Sequence, residues 1–349
     1  MKKITVVIPN FNGIQYVERC LDSLKRQTFS EFDVIFVDNG SVDGSRELTE
    51  EKYPWVRVIA LAENTGFCKA VNIGIEATQT PYVVLLNNDT EAEPDFLLEL
   101  YRGIERKKNA FSAAARMLQF HDRGKIDDAG NYYNCLGWAF ALGKGKSEEK
   151  YKKERKIFAS CGGAAIYRTK LVKQLGGFDE EHFAYLEDID LGYRAQIAGY
   201  ENWYLPKAGV YHVGSGTSGS RYNQFKIRYS SRNNVYMLYK NMPLLQILLN
   251  LPFLVLGFTV KLIFFASKKY GREYAAGIKN GFSLCKKDKK VPFLWKNLPN
   301  YGKIQLQLWI NVIRRFDVTV YWYYIPRGGF CERRSQKTRD ISREFMRLA

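Results

Sequence analysis

The sequence contains little histidine and no paired cysteine motif. Only 3 of its 349 residues are His, and the six cysteines lie far apart, without a CxxC pair. A zinc knuckle needs closely spaced Cys and His ligands, so the sequence excludes this class of metal site. In a chain of this size, isolated cysteines indicate reduced thiols in a cytoplasmic protein. They are Cys20, Cys68, Cys135, Cys161, Cys285 and Cys331.

The glycine-rich phosphate loops of common nucleotide-binding proteins are absent as well. GxxxxGK followed by Ser or Thr does not occur among the 28 glycines, and the one GxGxxG match, residues 214–219, lies in a late Gly/Ser-rich loop and not after the first strand, so neither a dinucleotide fold nor a P-loop is indicated. No secretory signal is expected either, because only ITVVI separates Lys3 from Pro9, which is too short for an apolar signal core. We interpret this segment as a first buried strand.

Positive charge and aromatic residues are abundant. A formal charge of +17, with 46% hydrophobic and 15% aromatic residues, is typical of a globular protein and excludes a disordered, collagen-like or coiled-coil chain. The charge is uneven: Lys268 to Ala349 hold 19 Lys and Arg against 6 Asp and Glu, a net +13 that leaves +4 for residues 1–267. This shift predicts a boundary between residues 235 and 268.

One long apolar segment precedes the basic region. Residues 244–266 could span a bilayer by length, but Pro252 should break or kink such a helix. The few polar residues and a glycine fall on one helical stripe; they are Gln246, Asn250, Gly257 and Lys261. This pattern favours a helix that lies in the membrane interface or re-enters it. A spanning helix and a buried helix pair are the alternatives.

The basic region interleaves Lys and Arg with aromatic residues, as in KKYGREY and FLWKNLPNYGK. Anionic lipid headgroups attract such clusters, and aromatic rings settle at headgroup level. Nucleic acid is the rival partner, and a merely solvated basic surface is the third interpretation. The apolar segment directly upstream favours the membrane. We therefore expect residues 244–349 to bind a membrane surface, and we expect no nucleic acid as partner.

The first 90 residues alternate between apolar strands and helices. Strands are predicted over residues 3–9, 33–38, 55–61 and 81–86, and helices over 45–52, 67–78 and a segment around Tyr16 to Leu24. A later strand is predicted to end at His212, before a loop rich in Gly and Ser. Strands that alternate with helices form parallel sheets, and ligands bind beyond the carboxyl ends of such strands.

Polar residues stand at these strand ends. Pro9-Asn10, Asp38-Asn39 and Asn87-Asn88-Asp89 follow three of the strands. A single acid there is commonly a helix cap, but two acids and several amides at one edge predict a ligand site. Glu187, Asp188 and Asp190 open a later helix, where the helix dipole alone would favour them. His212 by itself does not indicate a ligand.

Together these motifs resemble the inverting glycosyltransferases of family 2, which have the GT-A nucleotide-sugar-binding fold. The resemblance covers about residues 3–240 and rests on the order and spacing of VVIPNFNG, VDNGSVDGS, NTGFCKAVNIG, LLNNDTE, GGFDE with YLEDIDLGYR, and the His212 loop. The pattern looks most like bacterial rhamnosyltransferases of surface polysaccharide synthesis. It implies an α/β fold: a Rossmann-like, mostly parallel sheet flanked by helices in a catalytic domain of residues 1–235. A helical, basic, membrane-associating region of residues 236–349 would follow.

The resemblance also implies roles for the residues of the donor site. The nucleotide sugar is expected at Pro9, Asn10, Asp38, Asn64, Gly66, Asn72, Asn87 and Asn88. Asp89 and His212 are expected to hold Mg²⁺ or Mn²⁺. The family's acidic metal motif usually begins with Asp, where this chain has Asn87, so one negative charge fewer would face the ion.

The remaining roles concern the acceptor. Asp188 matches the family's general base, which removes the proton of the attacking hydroxyl. Glu187, Asp190 and Gly162 are expected to contact acceptor or sugar. Asp179 is expected to cap a helix, with an acceptor contact as the alternative.

The function that this resemblance implies is inverting transfer of L-rhamnose from dTDP-rhamnose onto a polyprenyl-diphosphate-linked glycan. The expected location is the cytoplasmic face of the bacterial plasma membrane. Transfer of galactofuranose, glucose or N-acetylglucosamine, a catalytically silent assembly subunit, and a nucleic-acid binder are the alternatives. Whether the chain forms a homo-oligomer is left open.

Overall fold

The computed structural model describes residues 1–214, 223–286 and 289–316. Its strands are β1 (Ile4–Asn10), β2 (Phe32–Asp38), β3 (Val56–Ala60), β4 (Tyr82–Leu86), β5 (Thr90–Ala92), β6 (Ala110–Gln119), β7 (Asp122–Asp128), β8 (Asn131–Tyr133), β9 (Ala139–Ala141), β10 (Arg155–Ile157), β11 (Ala164–Arg168) and β12 (Glu201–His212). Its α-helices are α1 (Ile14–Lys25), α2 (Ser45–Lys52), α3 (Phe67–Ala77), α4 (Phe96–Glu105), α5 (Thr169–Gln174), α6 (Glu187–Ile197), α7 (Gln224–Asn241), α8 (Leu244–Ser267), α9 (Gly271–Ser283) and α10 (Leu298–Arg315).

The strands predicted from the first 90 residues form a parallel sheet. The order within the central sheet is β10-β12-β6-β11-β4-β1-β2-β3, with β1 parallel to β2 and β4, and β2 parallel to β3. The antiparallel strand β11 joins this part to β6, which pairs in parallel with β12. The α/β expectation is confirmed, and the predicted strand ends differ from the observed ones by at most one residue.

The sheet is covered by helices on both faces. In β1, Ile4, Val6 and Ile8 pack into the core that contains α1 and α4, whereas Val7 packs into the core that contains α3 and α5. Successive side chains of a strand point to opposite faces, so a strand that is buried on both faces has a continuous apolar sequence. This explains why the apolar runs identified the strands.

The C-terminal helices share a core with the part of the chain that contains the sheet. Leu254, Tyr301 and Leu308 pack in one buried cluster with Phe158 and Tyr193. The predicted domain boundary at residue 235 falls within α7, and the division into two domains remains a prediction. Residues 317–349 and the loop from 215 to 222, including most of the predicted Gly/Ser-rich segment, lie outside the described residues.

Helix α8 runs unbroken through Pro252, so of the predicted break or kink the break is wrong. A proline removes one backbone hydrogen bond, and side-chain packing secures the turns of the helix that precede this position. Gln246 accepts a hydrogen bond from the Tyr193 hydroxyl at 3.1 Å, and Asn250 exchanges hydrogen bonds with Gln305. The predicted polar stripe therefore faces the protein.

The opposite face of α8 carries its apolar side chains into solvent. Leu245 is 78% exposed and Val255 is 59% exposed. Within the described residues, α8 is the helix that is long and apolar enough to cross a membrane, and little of it is buried. A large exposed apolar face marks an interaction surface.

Gly257 is the point of closest approach between α8 and the chain segment that joins β8 to β9. A Cβ atom at Gly257 would lie 1.9 Å from the Leu136 carbonyl oxygen, and the Trp138 indole donates to the Gly257 carbonyl at 3.0 Å. The helix can sit this close only because the residue has no side chain.

We expect Gly257→Ala to lower the free energy of unfolding by about 1–3 kcal/mol, the usual cost of overpacking. Gly302→Ala in α10 is the matched control, because a Cβ there meets no atom within 4 Å and alanine favours helix by up to about 1 kcal/mol. Thermal melting should separate the two variants, and equal melting temperatures would contradict this packing.

Candidate active site

A cavity of about 1150 Å³ opens at the carboxyl edge of the parallel strands. The ends of β1, β4 and β12 form one side of it, and the turn before α6, the start of α7 and the β8–β9 hairpin form the other. Most of the predicted site residues line this cavity: Pro9, Asn10, Asn64, Gly66, Asn87, Asn88, Asp89, Gly162, Glu187, Asp188 and His212. The residues predicted to bind donor, metal and acceptor thus meet at one place.

Asp38 lies behind the cavity wall. It is 2% exposed, and its carboxylate accepts hydrogen bonds from the Asn10 amide at 3.0 Å and the Ser41 backbone at 3.1 Å. The neighbouring Asn39 lines the cavity instead. Asp38 therefore orients Asn10 and the following loop.

Two further predicted residues lie outside the cavity. The Asn72 side chain donates to the Phe178 carbonyl at 2.7 Å and accepts from the Phe178 backbone N–H at 2.9 Å, so it fastens the Gly176-Gly177 turn. Asp190 is fully buried on the other side of α6, where its carboxylate meets Arg194 and Lys240. These opposite charges hold the pKa of Asp190 well below its usual range, although burial alone would raise it.

Asp89 and His212 converge on one point of the cavity. His212 Nε2 lies 3.3 Å from an Asp89 carboxylate oxygen, and both side chains are largely buried. Burial lowers the pKa of His212, but hydrogen bonds to Asp127 and Asp89 outweigh it and raise the pKa to about 9. A carboxylate and an imidazole this close fit two neighbouring ligands of one divalent ion, the role that the resemblance implies.

Asp127 orients this histidine. Its carboxylate lies 2.8 Å from His212 Nδ1 and 2.8 Å from the Lys144 ammonium. A ligating histidine commonly holds its second ring nitrogen against a carboxylate, which leaves the first nitrogen for the metal. Asp127 has no signal in the sequence, because the histidine with which it pairs is 85 positions away.

A second group of potential metal ligands lies away from this cavity. Asp179, His182 and Asp190 have ligand atoms within 4.8 Å of one another. The Lys240 ammonium already contacts Asp179 at 2.6 Å and Asp190 at 3.0 Å, so a cation compensates both carboxylates. Asp179 also accepts from the Glu181 backbone N–H at the start of a short 3₁₀ helix, which confirms the predicted cap.

Glu187 and Asp188 form the acidic end of the cavity. Burial raises the pKa of both carboxyls, and the charge of Asp188 adds to the effect on Glu187. Asp188 accepts hydrogen bonds from the Asn131 amide at 2.7 Å and from the Ile189 backbone at 2.7 Å, which partly oppose the rise in its pKa. A buried carboxylate with a raised pKa in a cleft is suited to proton transfer near neutral pH.

The turn that leads into α6 has a strained backbone. Phe183, Tyr185 and Leu186 all adopt positive φ, between 61° and 72°, which non-glycine residues rarely do. The Asn233 amide of α7 donates to the carbonyls of His182, Ala184 and Tyr185 at 2.8–2.9 Å. Together with the Arg232 guanidinium and the Cys68 backbone N–H, which donate to the His182 and Phe183 carbonyls, this side chain secures the turn that carries Glu187 and Asp188.

Gly66 allows that turn to lie against the donor side of the cavity. A Cβ atom at Gly66 would come within 2.5 Å of the Phe183 ring. The resemblance implies a nucleotide-sugar contact at Gly66, whereas the close approach observed there is made by Phe183 of the same chain. Asn131 and Asn233 were missed because their partners are 57 and about 50 positions away.

The fold and the site define a GT-A-type α/β glycosyltransferase. Residues 5–176, just under half of the chain, match the sequence profile of glycosyl transferase family 2, and the chain is related to rhamnosyltransferases. It is 27% identical over 241 residues to N-acetylglucosaminyl-diphospho-decaprenol L-rhamnosyltransferase of Mycobacterium tuberculosis strain CDC 1551, covering 62% of this chain and 78% of the relative. It is 26% identical to the O-antigen chain rhamnosyltransferase WbaN of Salmonella anatum, covering 64% of this chain and 70% of that one.

Solved structures show the same fold. Mannosyltransferase PcManGT from Pyrobaculum calidifontis, in complex with GDP-Man and Mn²⁺, aligns with a TM-score of 0.51 over 99% of this chain and 85% of its own, at 13% identity. GalNAc-T7 with UDP, GalNAc and Mn²⁺ aligns with a TM-score of 0.55 and 16% identity over 68% of this chain, which spans 48% of that one. At these identities the likeness is one of fold.

The geometry around Asp188 generates a pH prediction. A general base must be ionised, so activity should fall as the pH falls through the raised pKa of Asp188. Asn131→Ala removes a hydrogen bond to the ionised form and raises this pKa further. The acidic limb of kcat/KM should therefore move to higher pH by about one unit, as expected for one hydrogen bond to a charged group.

Asn311→Ala is the matched control for this variant. The Asn311 amide holds the same hairpin through the Tyr133 carbonyl at 2.8 Å and does not contact Asp188. Asn311→Ala should lower thermal stability but leave the acidic limb of the kcat/KM pH profile at the same pH as in the wild type. If Asn131→Ala also leaves this limb in place, the pKa of Asp188 does not determine it.

Proposed function

We propose that this glycosyltransferase moves L-rhamnose from dTDP-rhamnose onto a polyprenyl-diphosphate-linked glycan, with inversion at the anomeric carbon. The observation that carries the proposal is that Asp188 and the Asp89–His212 pair line the same cavity. A base on one side and a diphosphate-binding centre on the other is what a single in-line displacement needs. The rhamnosyltransferase names of two relatives support the choice of sugar.

In the proposed reaction, the acceptor hydroxyl oxygen attacks the anomeric carbon while Asp188 removes the proton of that hydroxyl. The bond to the departing nucleoside diphosphate breaks in the same step, and the base contributes roughly 10²–10⁴-fold to the rate. Asn131 holds the carboxylate in place through its 2.7 Å hydrogen bond. Glu187, with one buried carboxylate oxygen unpartnered among the described residues, is available for a hydroxyl of donor or acceptor.

Asp89 and His212 would hold Mg²⁺ or Mn²⁺, whose charge stabilises the leaving diphosphate. The buried carboxylate and imidazole, 3.3 Å apart, fit this role, and two solved structures of the same fold contain Mn²⁺. The asparagines around Pro9, together with Asn64 and Gly66, would bind the nucleoside. Asn87 replaces the usual acid, so we expect the protein without donor to bind the ion weakly.

The exposed apolar face of α8 supports attachment to the cytoplasmic side of the plasma membrane. A polyprenyl-linked acceptor stays in the bilayer, so an enzyme held at its surface meets the acceptor at a high effective concentration. The polar stripe of α8 packs against the protein, which suits a helix that lies in the interface better than one that spans it.

A donor panel tests the proposed reaction. We expect release of dTDP from dTDP-rhamnose in the presence of Mg²⁺ or Mn²⁺ and acceptor lipid, with loss of activity in EDTA. Asp188→Asn should lower kcat by about 10²–10⁴-fold while its melting temperature remains near that of the wild type.

Each alternative has its own result in this panel. Turnover of UDP-galactofuranose, UDP-glucose or UDP-N-acetylglucosamine without turnover of dTDP-rhamnose would replace the rhamnose proposal. Equal transfer by the wild type and Asp188→Asn would remove the base. No turnover of any donor would favour an assembly subunit.

Flotation with anionic phospholipid vesicles tests the membrane surface. Val255→Glu removes an apolar side chain from the exposed face of α8 and adds a negative charge, and both changes oppose membrane binding. We expect at least about a tenfold weaker partition. Val42→Glu is the matched control, because Val42 is 90% exposed and far from α8 in sequence. Equal flotation of both variants would contradict this surface.

A further inference from the structure

Lys261 is a half-buried cation in the middle of an apolar helix. It follows Gly257 by one helical turn, so it lies on the face of α8 that packs against the protein. Within the ranges 1–214, 223–286 and 289–316, no carboxylate lies within ion-pair distance of its ammonium group. Burial against apolar neighbours, and to a smaller degree the positive charge of Arg315, lowers the pKa of Lys261 to about 8. A buried cation without an anion is destabilising unless a ligand supplies the charge.

Two arginines at the end of α10 lie over the rim of the active-site cavity. The Arg315 guanidinium is 5.4 Å from the Phe140 ring centroid, and the Arg314 guanidinium is 5.4 Å from that of Tyr132. The two rings stack at 5.7 Å, and Phe140 lines the cavity. A helix C-terminus favours cations by itself, but this effect does not explain Lys261 in the middle of α8.

Exposed apolar side chains lie on the other side of the same two helices. Ile263 of α8 is 60% exposed, and Ile313 of α10 is also 60% exposed. Each is two residues from a cation, Lys261 or Arg315, so it points about half a turn away from that cation around the helix. The cations and the exposed apolar surface are therefore about one helix diameter apart, roughly 10–12 Å.

We propose that Lys261 and Arg315 bind the diphosphate of a polyprenyl-diphosphate-linked acceptor. The prenyl chain would lie along the apolar faces of α8 and α10, and the sugar would enter the cavity past Phe140. This inference rests on the proposed function, since it names the site for the acceptor's charged link. The name of a Mycobacterium tuberculosis relative specifies an N-acetylglucosaminyl-diphospho-decaprenol. That molecule has the same three parts in the same order: an apolar chain, a diphosphate and a sugar.

Direct binding of farnesyl diphosphate to the full-length protein tests the site without catalysis. The titration is run by calorimetry in EDTA, so that no divalent ion can hold a diphosphate at Asp89 and His212. We expect Lys261→Gln to weaken binding roughly ten- to hundredfold, as expected for losing a contact to a charged group. Lys261→Arg should restore it, because the charge returns. Arg315→Gln is a second variant, with a loss of similar size expected.

Lys268→Gln is the control for general charge. Lys268 is exposed at the end of the same helix, and its loss should leave farnesyl diphosphate binding within about twofold. Farnesol and inorganic diphosphate should each bind much more weakly than farnesyl diphosphate. Equal binding of inorganic diphosphate would indicate a soluble phosphate ligand, and equal losses in Lys261→Gln and Lys268→Gln would indicate unspecific attraction; either result overturns the proposal.

The donor reaction separates this inference from the proposed function. Release of dTDP from dTDP-rhamnose into water, without acceptor, should be the same in Lys261→Gln as in the wild type. If the wild type turns over the donor but Lys261→Gln binds farnesyl diphosphate normally, the acceptor site is wrong and the enzyme activity stands. If no donor is turned over, the proposed function fails whatever the binding shows.

Discussion

The position of the acidic end of the cavity depends on the hydrogen bonds of one side-chain amide. Asn233 donates to three carbonyls of the turn that precedes α6. Three residues of that turn adopt positive φ, a conformation that costs about 1–3 kcal/mol each and persists only when the surroundings enforce it. Because α6 begins directly after the turn, Asn233 determines which of its first residues face the cavity.

The start of α6 shows how neighbours divide one acidic motif into two functions. Asp188 faces the cavity, where burial raises its pKa. Two residues later, Asp190 faces Arg194 and Lys240, whose charges hold its pKa well below the usual range. The carboxyl groups are chemically identical, so the difference arises from what surrounds them. Asp188 is suited to exchange a proton, and Asp190 to bind helices α6 and α7 together.

The β8–β9 hairpin connects the C-terminal helices with the site. On one side Asn131 holds Asp188, and on the other Trp138 donates to the Gly257 carbonyl of α8. Helix α10 contacts the same hairpin through Asn311. The C-terminal helices are therefore part of the framework of the cavity.

The sequence by itself determined the strands, their parallel arrangement, the edge where the site lies and the polar stripe of α8, since each depends on residues that are close in the chain. Tertiary structure decided which polar residues reach the cavity. Asp38, Asn72 and Asp190 carry suitable groups but bond to protein partners, whereas Asp127, Asn131 and Asn233 act through residues about 50 to 85 positions away. Periodicity describes the face on which a side chain lies, but the partner on that face is set only when distant segments pack together.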